Sequence, residues 1–236
     1  MAQPVHPSTD EEHQGAARSR MYRLLAGAFA FPAEPFHRAV LDGGFLSEVL
    51  AIAAGLPYQL PLAEGEPLRT DLAEAAPDYV DFQSEYVRLF DVGVPRPPCA
   101  LYGGLYLGSR RAAMEEVTRF YHHFGLSLGG ESREMPDHVT TELEFMHFLT
   151  FREVAALEKG QDRGPYLRAE RDFLQRHLTR WLPRVRPLAE KQKAAPFFLG
   201  LLGFTEAFLL KDLAHAATLA GETPPGRPPE AVADEP

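Results

Sequence analysis

Apolar residues recur along this chain at three- and four-residue intervals, and the runs end at glycine or proline. That pattern predicts helices joined by short connectors. The spacing opens at Arg18: Met21, Tyr22, Leu24, Leu25, Ala28, Phe29 and Phe31 form a first helix that Pro32 stops. A second helical region covers residues 36–56, interrupted at Gly43-Gly44 and closed by Gly55 and Pro57. Residues 58–67 read as loop, 69–76 as a further helical candidate, and 78–90 as a helix carrying Tyr79, Phe82, Tyr86, Leu89 and Phe90. Residues 91–107 hold Gly93, Pro95, Pro97, Pro98, Gly103 and Gly104, which predicts a long loop of the kind usually tied to function. Helices follow over 110–124, 136–159, 166–182, 184–193 and 196–219, the last apolar over most of its surface. No stretch alternates with period 2, and no fixed-period repeat occurs. The expected fold is all-α, a single-domain multi-helix bundle over residues 17–221. The polar segments 1–16 and 222–236 are expected to be a disordered arm and tail.

One predicted helix stands apart. In residues 136–159, Val139, Leu143, Met146 and Thr150 share a face that Phe145 and Leu149 widen, while Phe148 and Phe151 lie nearly opposite. A helix this apolar belongs in the middle of the domain, as a buried central helix. Its start is marked by Pro136 and by Asp137, whose charge suits the N-terminal dipole. Yet Asp137, His138, Glu142, Glu144 and His147 are costly to bury unless paired. That conflict locates the candidate chemistry.

Composition narrows the classes. A hydrophobic content of 45% over 236 residues supports a real core. The net charge of −9, with no basic stripe, argues against nucleic acid as a partner and suits a cationic peptide or protein. Cys99 is the sole cysteine, so no internal disulfide forms and no thiolate-rich metal site is expected. Residues 1–20 lack the apolar core of a signal peptide, and no apolar run approaches the roughly 20 residues of a membrane span. The reading is a cytoplasmic protein.

The spacing Glu144-x-x-His147 matches that of ferritin-like di-metal bundles, and Glu34-x-x-His37 repeats it. About one such match is expected by chance in a chain of this composition, and Glu34 sits at a helix start. A metal-dependent helical-bundle enzyme using Glu144 and His147 is therefore the alternative function. His138 and Glu142, four residues apart, read as a helix-stabilising pair or a hydrogen-bonded core group. No Gly-x-Ser-x-Gly occurs, Cys99 has no identifiable partner base, and no glycine-rich phosphate loop is present. Acidic residues cluster at Asp71, Glu74, Asp78, Asp81 and Glu85, and again at Glu131, Glu134, Asp137, Glu142 and Glu144. The first set reads as a solvated face. The second borders apolar residues, which would suit a peptide with basic residues followed by a hydrophobic run.

Four blocks in order resemble the TorD/DmsD/NarJ family of redox-enzyme maturation chaperones, which act on molybdoenzymes. They are Met21-Tyr22-Arg23-Leu24-Leu25-Ala26 with Phe29 and Pro32, and then Tyr86-Val87-Arg88-Leu89-Phe90 followed by Tyr102-Gly103-Gly104-Leu105-Tyr106-Leu107. The third is Glu134-Met135-Pro136-Asp137-His138 leading into Glu142-Leu143-Glu144-Phe145-Met146, similar to the family's Glu-Pro-Asp-His helix start with Met135 inserted. The fourth is Phe173-Leu174 with His177-Leu178 and Trp181-Leu182.

The resemblance implies a non-enzymatic, all-helical cytoplasmic chaperone with no cofactor of its own. Its partner would be the apo catalytic subunit of a molybdopterin-containing oxidoreductase. It would bind the subunit's N-terminal, twin-arginine leader region, aid cofactor insertion and delay export. The peptide-binding surface carries over to Tyr22, Tyr86, Leu89, Phe90, Tyr102, Pro136, Asp137 and His138. Asp137 and His138 are then expected as the exposed head of the central helix, with Asp137 pairing an arginine fork. Glu144 and His147 become structural. The connectors 126–135 and 159–165 would permit helix exchange and hence a homodimer.

Overall fold

Glycine and proline divide the chain much as the spacing indicates. The computed structural model describes residues 9–127 and 135–221, and among these the helices are α1 (Thr9–Ala28), α2 (Glu34–Leu41), α3 (Gly44–Ala53), α4 (Pro67–Asp71), α5 (Tyr79–Tyr86), α6 (Arg110–His123), α7 (Val139–Glu158), α8 (Gly164–Arg176), α9 (Leu178–Trp181), α10 (Val185–Lys191) and α11 (Pro196–Leu219). A π-helical turn, Val87–Asp91, continues α5, and 3-10 turns stand at Gly103–Leu105 and Leu182–Arg184. No strand occurs among the described residues, so the expected all-α bundle is the fold. No described helix is long and apolar enough to cross a membrane.

Three boundaries differ from the sequence reading. Helix α1 begins at Thr9, so residues 9–16 of the expected arm are helical. Asp10, Glu11 and Glu12 fill its first turn, where the dipole favours acids, and Gly15 is buried against Val154 of α7. Helix α7 begins at Val139, with His138 rather than Pro136 at its cap, because residues 136–138 are held in a turn against the 101–104 segment. The single helix expected over 166–182 breaks at His177, whose φ −122° and ψ −95° are not helical. The tail 222–236, residues 1–8 and the acids Glu131 and Glu134 lie outside the described residues.

Helix α1 runs along α7, α8 packs on both α7 and α11, and α11 carries α4 and α10. The central helix α7 buries Val139, Leu143, Phe145, Met146 and Leu149, as its pattern requires. Helix α11 is equally buried, through Phe197, Phe198, Leu201, Leu202, Phe204, Phe208 and Leu209. Two aromatic clusters fill the space between helices. One joins Phe36, Phe45, Phe82, Phe197 and Phe198; the other joins Phe120, Tyr121, Phe145 and Phe173.

Inside this apolar frame sits one charged junction. Arg18 of α1 is 1% exposed; its Nε donates to Asp212 Oδ1 of α11 at 2.6 Å, and its Nη2 to Glu170 Oε2 of α8 at 2.5 Å. Nη1 reaches Glu153 Oε2 of α7 at 3.2 Å. The Tyr22 and Tyr58 hydroxyls donate to Asp212 at 2.6 and 2.8 Å, and Arg163 donates to the other Glu153 oxygen at 3.1 Å. Burial pushes the Asp212 carboxyl up, but Arg18 and the two tyrosine donors outweigh it and hold the group below its usual value. For Glu170 burial wins despite Arg18, and its pKa rises to about 8. Glu170 therefore keeps its proton near neutrality, and burial also raises Glu153 despite Arg18 and Arg163.

Arg18→Met should cost about 3–5 kcal/mol in urea unfolding, because it strands buried acids without their cation. A pH effect follows from Glu170. Its folded pKa lies above the unfolded 4.5, so its contribution is full below 4.5 and is lost as pH rises through about 8. Burial lowers His177 and His215 to about 4, which acts oppositely but is complete above about 6.5. Stability should thus fall between pH 6.5 and 8, and Glu170→Gln should flatten that fall in a series of denaturant midpoints.

Candidate functional site

The start of α7 is built from two segments that share only a few residues of pairing. Tyr102 and His138 form an isolated antiparallel bridge; Gly103 N–H donates to the Asp137 carbonyl at 2.8 Å, and Val139 N–H to the Leu101 carbonyl at 2.9 Å. Asp137 Oδ2 accepts the Gly104 N–H at 3.1 Å, and the Tyr121 hydroxyl donates to the Pro136 carbonyl at 2.8 Å. The Gly103-Gly104 pair is explained by space. A Cβ at Gly103 would stand 2.8 Å from Trp181 Nε1 and 3.0 Å from Glu142 Oε1, and one at Gly104 2.8 Å from Asp137 Oδ2.

Beneath this turn, Trp181 Nε1 donates to Glu142 Oε2 at 2.9 Å, and the Tyr106 ring stacks on the indole at 5.8 Å. Glu142 is fully buried; desolvation, aided by the nearby Asp137 carboxyl, raises its pKa well above the usual range against the Trp181 bond. Its Oε2 accepts the indole N–H, while Oε1 has no hydrogen-bond partner within the protein. Of the two sequence readings of His138 and Glu142, the hydrogen-bonded core group holds and the mutual pair does not: His138 Nδ1 caps α7 through Thr140 N–H, and Glu142 belongs to Trp181. The break at His177 starts the short turn that brings Trp181 there.

The structure divides the expected binding residues into three groups. Tyr102, Pro136, Asp137 and His138 come together at the turn, with the Tyr102 and His138 rings 4.9 Å apart. Tyr86, Leu89 and Phe90 form a second group under Phe31 and Phe198, where the Tyr86 hydroxyl donates to the Phe29 carbonyl at 2.8 Å. The Cys99 N–H, bonded to the Leu89 carbonyl at 2.9 Å, links this group to the strand-like segment at Tyr102. Tyr22 is committed to Asp212 in the charged junction. The expected exposed head is corrected: Asp137 is 0% and His138 6% exposed, because the 101–104 segment covers them. Tyr102 and Pro136 are half-buried and reach the surface.

Beside the turn, between α6 and α7, opens a pocket of about 240 Å³ that the sequence reading did not assign. Tyr121, Leu126, Phe145 and Phe148 make its walls; Thr141, Ser127 and Glu144 stand at its mouth. Thr141 also donates to the Met135 carbonyl at 3.2 Å, so the pocket and the turn share a wall. Partial burial raises the Glu144 pKa. The signal lay in the sequence as Phe145 and Phe148 beside Glu144, three positions assigned to core and structure. His147 points elsewhere, its Nδ1 2.8 Å from the Ser19 hydroxyl of α1, so Glu144 and His147 do not share a ligand set. His37 bonds the Ala76 carbonyl and Glu34 pairs with Arg38, which disposes of the second Glu-x-x-His match.

Trp181, the only tryptophan, reports on the turn directly. Gly103→Ala should shift its emission to the red and cost about 1–3 kcal/mol, through overpacking against the indole. Glu142→Gln should change stability by less than about 1 kcal/mol, since burial already disfavours the charged acid and the amide oxygen can still accept the Trp181 N–H; Trp181 fluorescence and thermal melts check both.

Residues 59–186, which contain the turn, the pocket and Trp181, match the family described as the nitrate reductase delta subunit. The perchlorate reductase assembly chaperone protein of Dechloromonas aromatica (strain RCB) is 36% identical over 202 residues, 82% of this chain and 87% of that protein. The dimethyl sulfide dehydrogenase assembly chaperone protein of Rhodovulum sulfidophilum is 33% identical over 244 aligned residues, 99% of this chain and 94% of that one. The selenate reductase assembly chaperone protein of Thauera selenatis is 41% identical over 116 residues, 48% of this chain and 60% of that one. With its motifs, its all-helical fold and these relatives in agreement, the chain belongs to the nitrate reductase delta subunit family of redox-enzyme maturation chaperones.

Proposed function

We propose that this protein is a non-catalytic assembly chaperone for the catalytic subunit of a molybdopterin-containing oxidoreductase. What carries the reading is the similarity along most of the chain to two proteins, each named as the assembly chaperone of a redox enzyme. It acts in the cytoplasm on the apo subunit, holds its N-terminal leader region, keeps it competent for cofactor insertion and delays export until maturation is complete.

The surface proposed for the leader is the turn at residues 135–138 together with the α6–α7 pocket. Tyr102 and Pro136 offer its accessible edge, and the pocket takes an apolar leader side chain. Glu144 at the mouth, rather than the covered Asp137, meets a leader arginine or lysine. Asp137, His138, Tyr86, Leu89, Phe90 and Tyr22 support this surface from below by fixing the 101–104 segment, α5 and α1. A cationic head followed by an apolar run matches an acidic mouth over aromatic walls. The metal-enzyme alternative has no arrangement in its favour: among the described residues no three His, Cys, Asp or Glu side chains gather as a metal site.

The test is calorimetric titration of the full chain with a synthetic leader-type peptide, a twin arginine followed by an apolar run. Glu144→Lys and Phe148→Ala should each weaken binding roughly tenfold or more while leaving the melting temperature within a few degrees. Affinity for the unaltered protein should fall with added salt. Unchanged affinity in both variants would remove the pocket from the site.

A further inference from the structure

The opposite flank of α6 carries a second groove, of reversed charge. It lies between α6 and α8 and measures about 390 Å³. Phe120, Phe124 and Ala169 floor it, and Arg119 and Arg168 rise from its two walls. Both arginines are exposed, and among the described residues neither has an ion pair. The one carboxylate in the groove, Asp172, is already paired with Arg171. A further arginine, Arg176, lies over the Phe120 ring at 5.9 Å while paired with Glu116. Two cations without an ion pair thus face each other over an aromatic floor, on a chain whose net charge is −9.

We infer that this groove docks an acidic segment of a protein partner, one that inserts an aromatic or branched aliphatic side chain between Phe120 and Phe124 while flanking carboxylates take Arg119 and Arg168. Two guanidinium forks on facing walls suit carboxylates bidentately, and the half-buried rings supply the apolar contact. Nucleic acid fits less well: Asp172 sits in the groove, and two arginines offer few phosphate contacts. The groove shares no lining residue with the leader pocket and selects the opposite charge, while its Phe124 ring packs against Phe145 and Phe148 of that pocket.

Fluorescence anisotropy of the full chain tests this with two labelled probes: a short peptide with Phe-Leu flanked by glutamates, and its match flanked by lysines. The glutamate peptide should bind, and Arg119→Glu with Arg168→Glu should weaken it roughly tenfold or more, while the same double variant gains affinity for the lysine peptide. Leader binding should be unaffected by the double variant, which separates this proposal from the leader site. Both substitutions replace exposed side chains, and circular dichroism checks the fold of the double variant. Equal binding of the two peptides by the unaltered protein, or glutamate-peptide affinity unmoved by the double variant, overturns the inference. So does single-stranded DNA binding at these arginines without peptide binding, or a self-dimer that the double variant dissolves.

Discussion

Arg18 is the constraint on which the bundle depends. One guanidinium, removed from water, bonds acids delivered by α7, α8 and α11, and through Asp212 it also fixes Tyr58 between α3 and α4. Hydrophobic burial alone would let these helices slide, because apolar contacts are tolerant of register. A buried fork with three directed bonds is not. Its desolvation makes such a junction a poor source of net stability, yet any missing member leaves a stranded charge, so it specifies arrangement more than it adds energy. The high pKa of Glu170 eases the same problem by keeping one acid neutral.

The arrangement so fixed presents α7 with its buried side against α1 and its N-terminal turn towards the 101–104 segment. Glycine at 103 and 104 lets that segment close over Glu142 and Asp137, and Trp181 seals it from α9. This turn places Pro136 and the mouth of the α6–α7 pocket at the surface. Helix α6 then separates an acidic-mouthed pocket from a cationic groove. The two flanks are set by successive residues, Tyr121 facing one and Phe120 the other.

Much of the fold was legible because glycine and proline punctuate it: α2, α3, α6 and α11 begin and end close to where the sequence places them. The buried middle of α7 followed from its apolar circumference. What the sequence could not show is pairing across the chain. Arg18 and Asp212 are 194 residues apart, and nothing along the chain joins one to the other. Asp212 did carry a signal, an acid within the apolar run of α11, and Glu142 another within α7. The exposure of Asp137 was misjudged because its cover comes from a loop read only as long and Pro-rich. The early start of α1 was missed because its inner face is made of Gly15 and Ala17, small residues that weigh little in a hydrophobic pattern.

The central claim is that this chain holds an immature redox subunit and lets go of a finished one. Native mass spectrometry of the full chain, mixed in turn with the apo and the cofactor-loaded catalytic subunit, tests it most directly. A complex with the apo subunit and none with the loaded one is the predicted result. Complexes of equal abundance with both forms, or with neither, would contradict it.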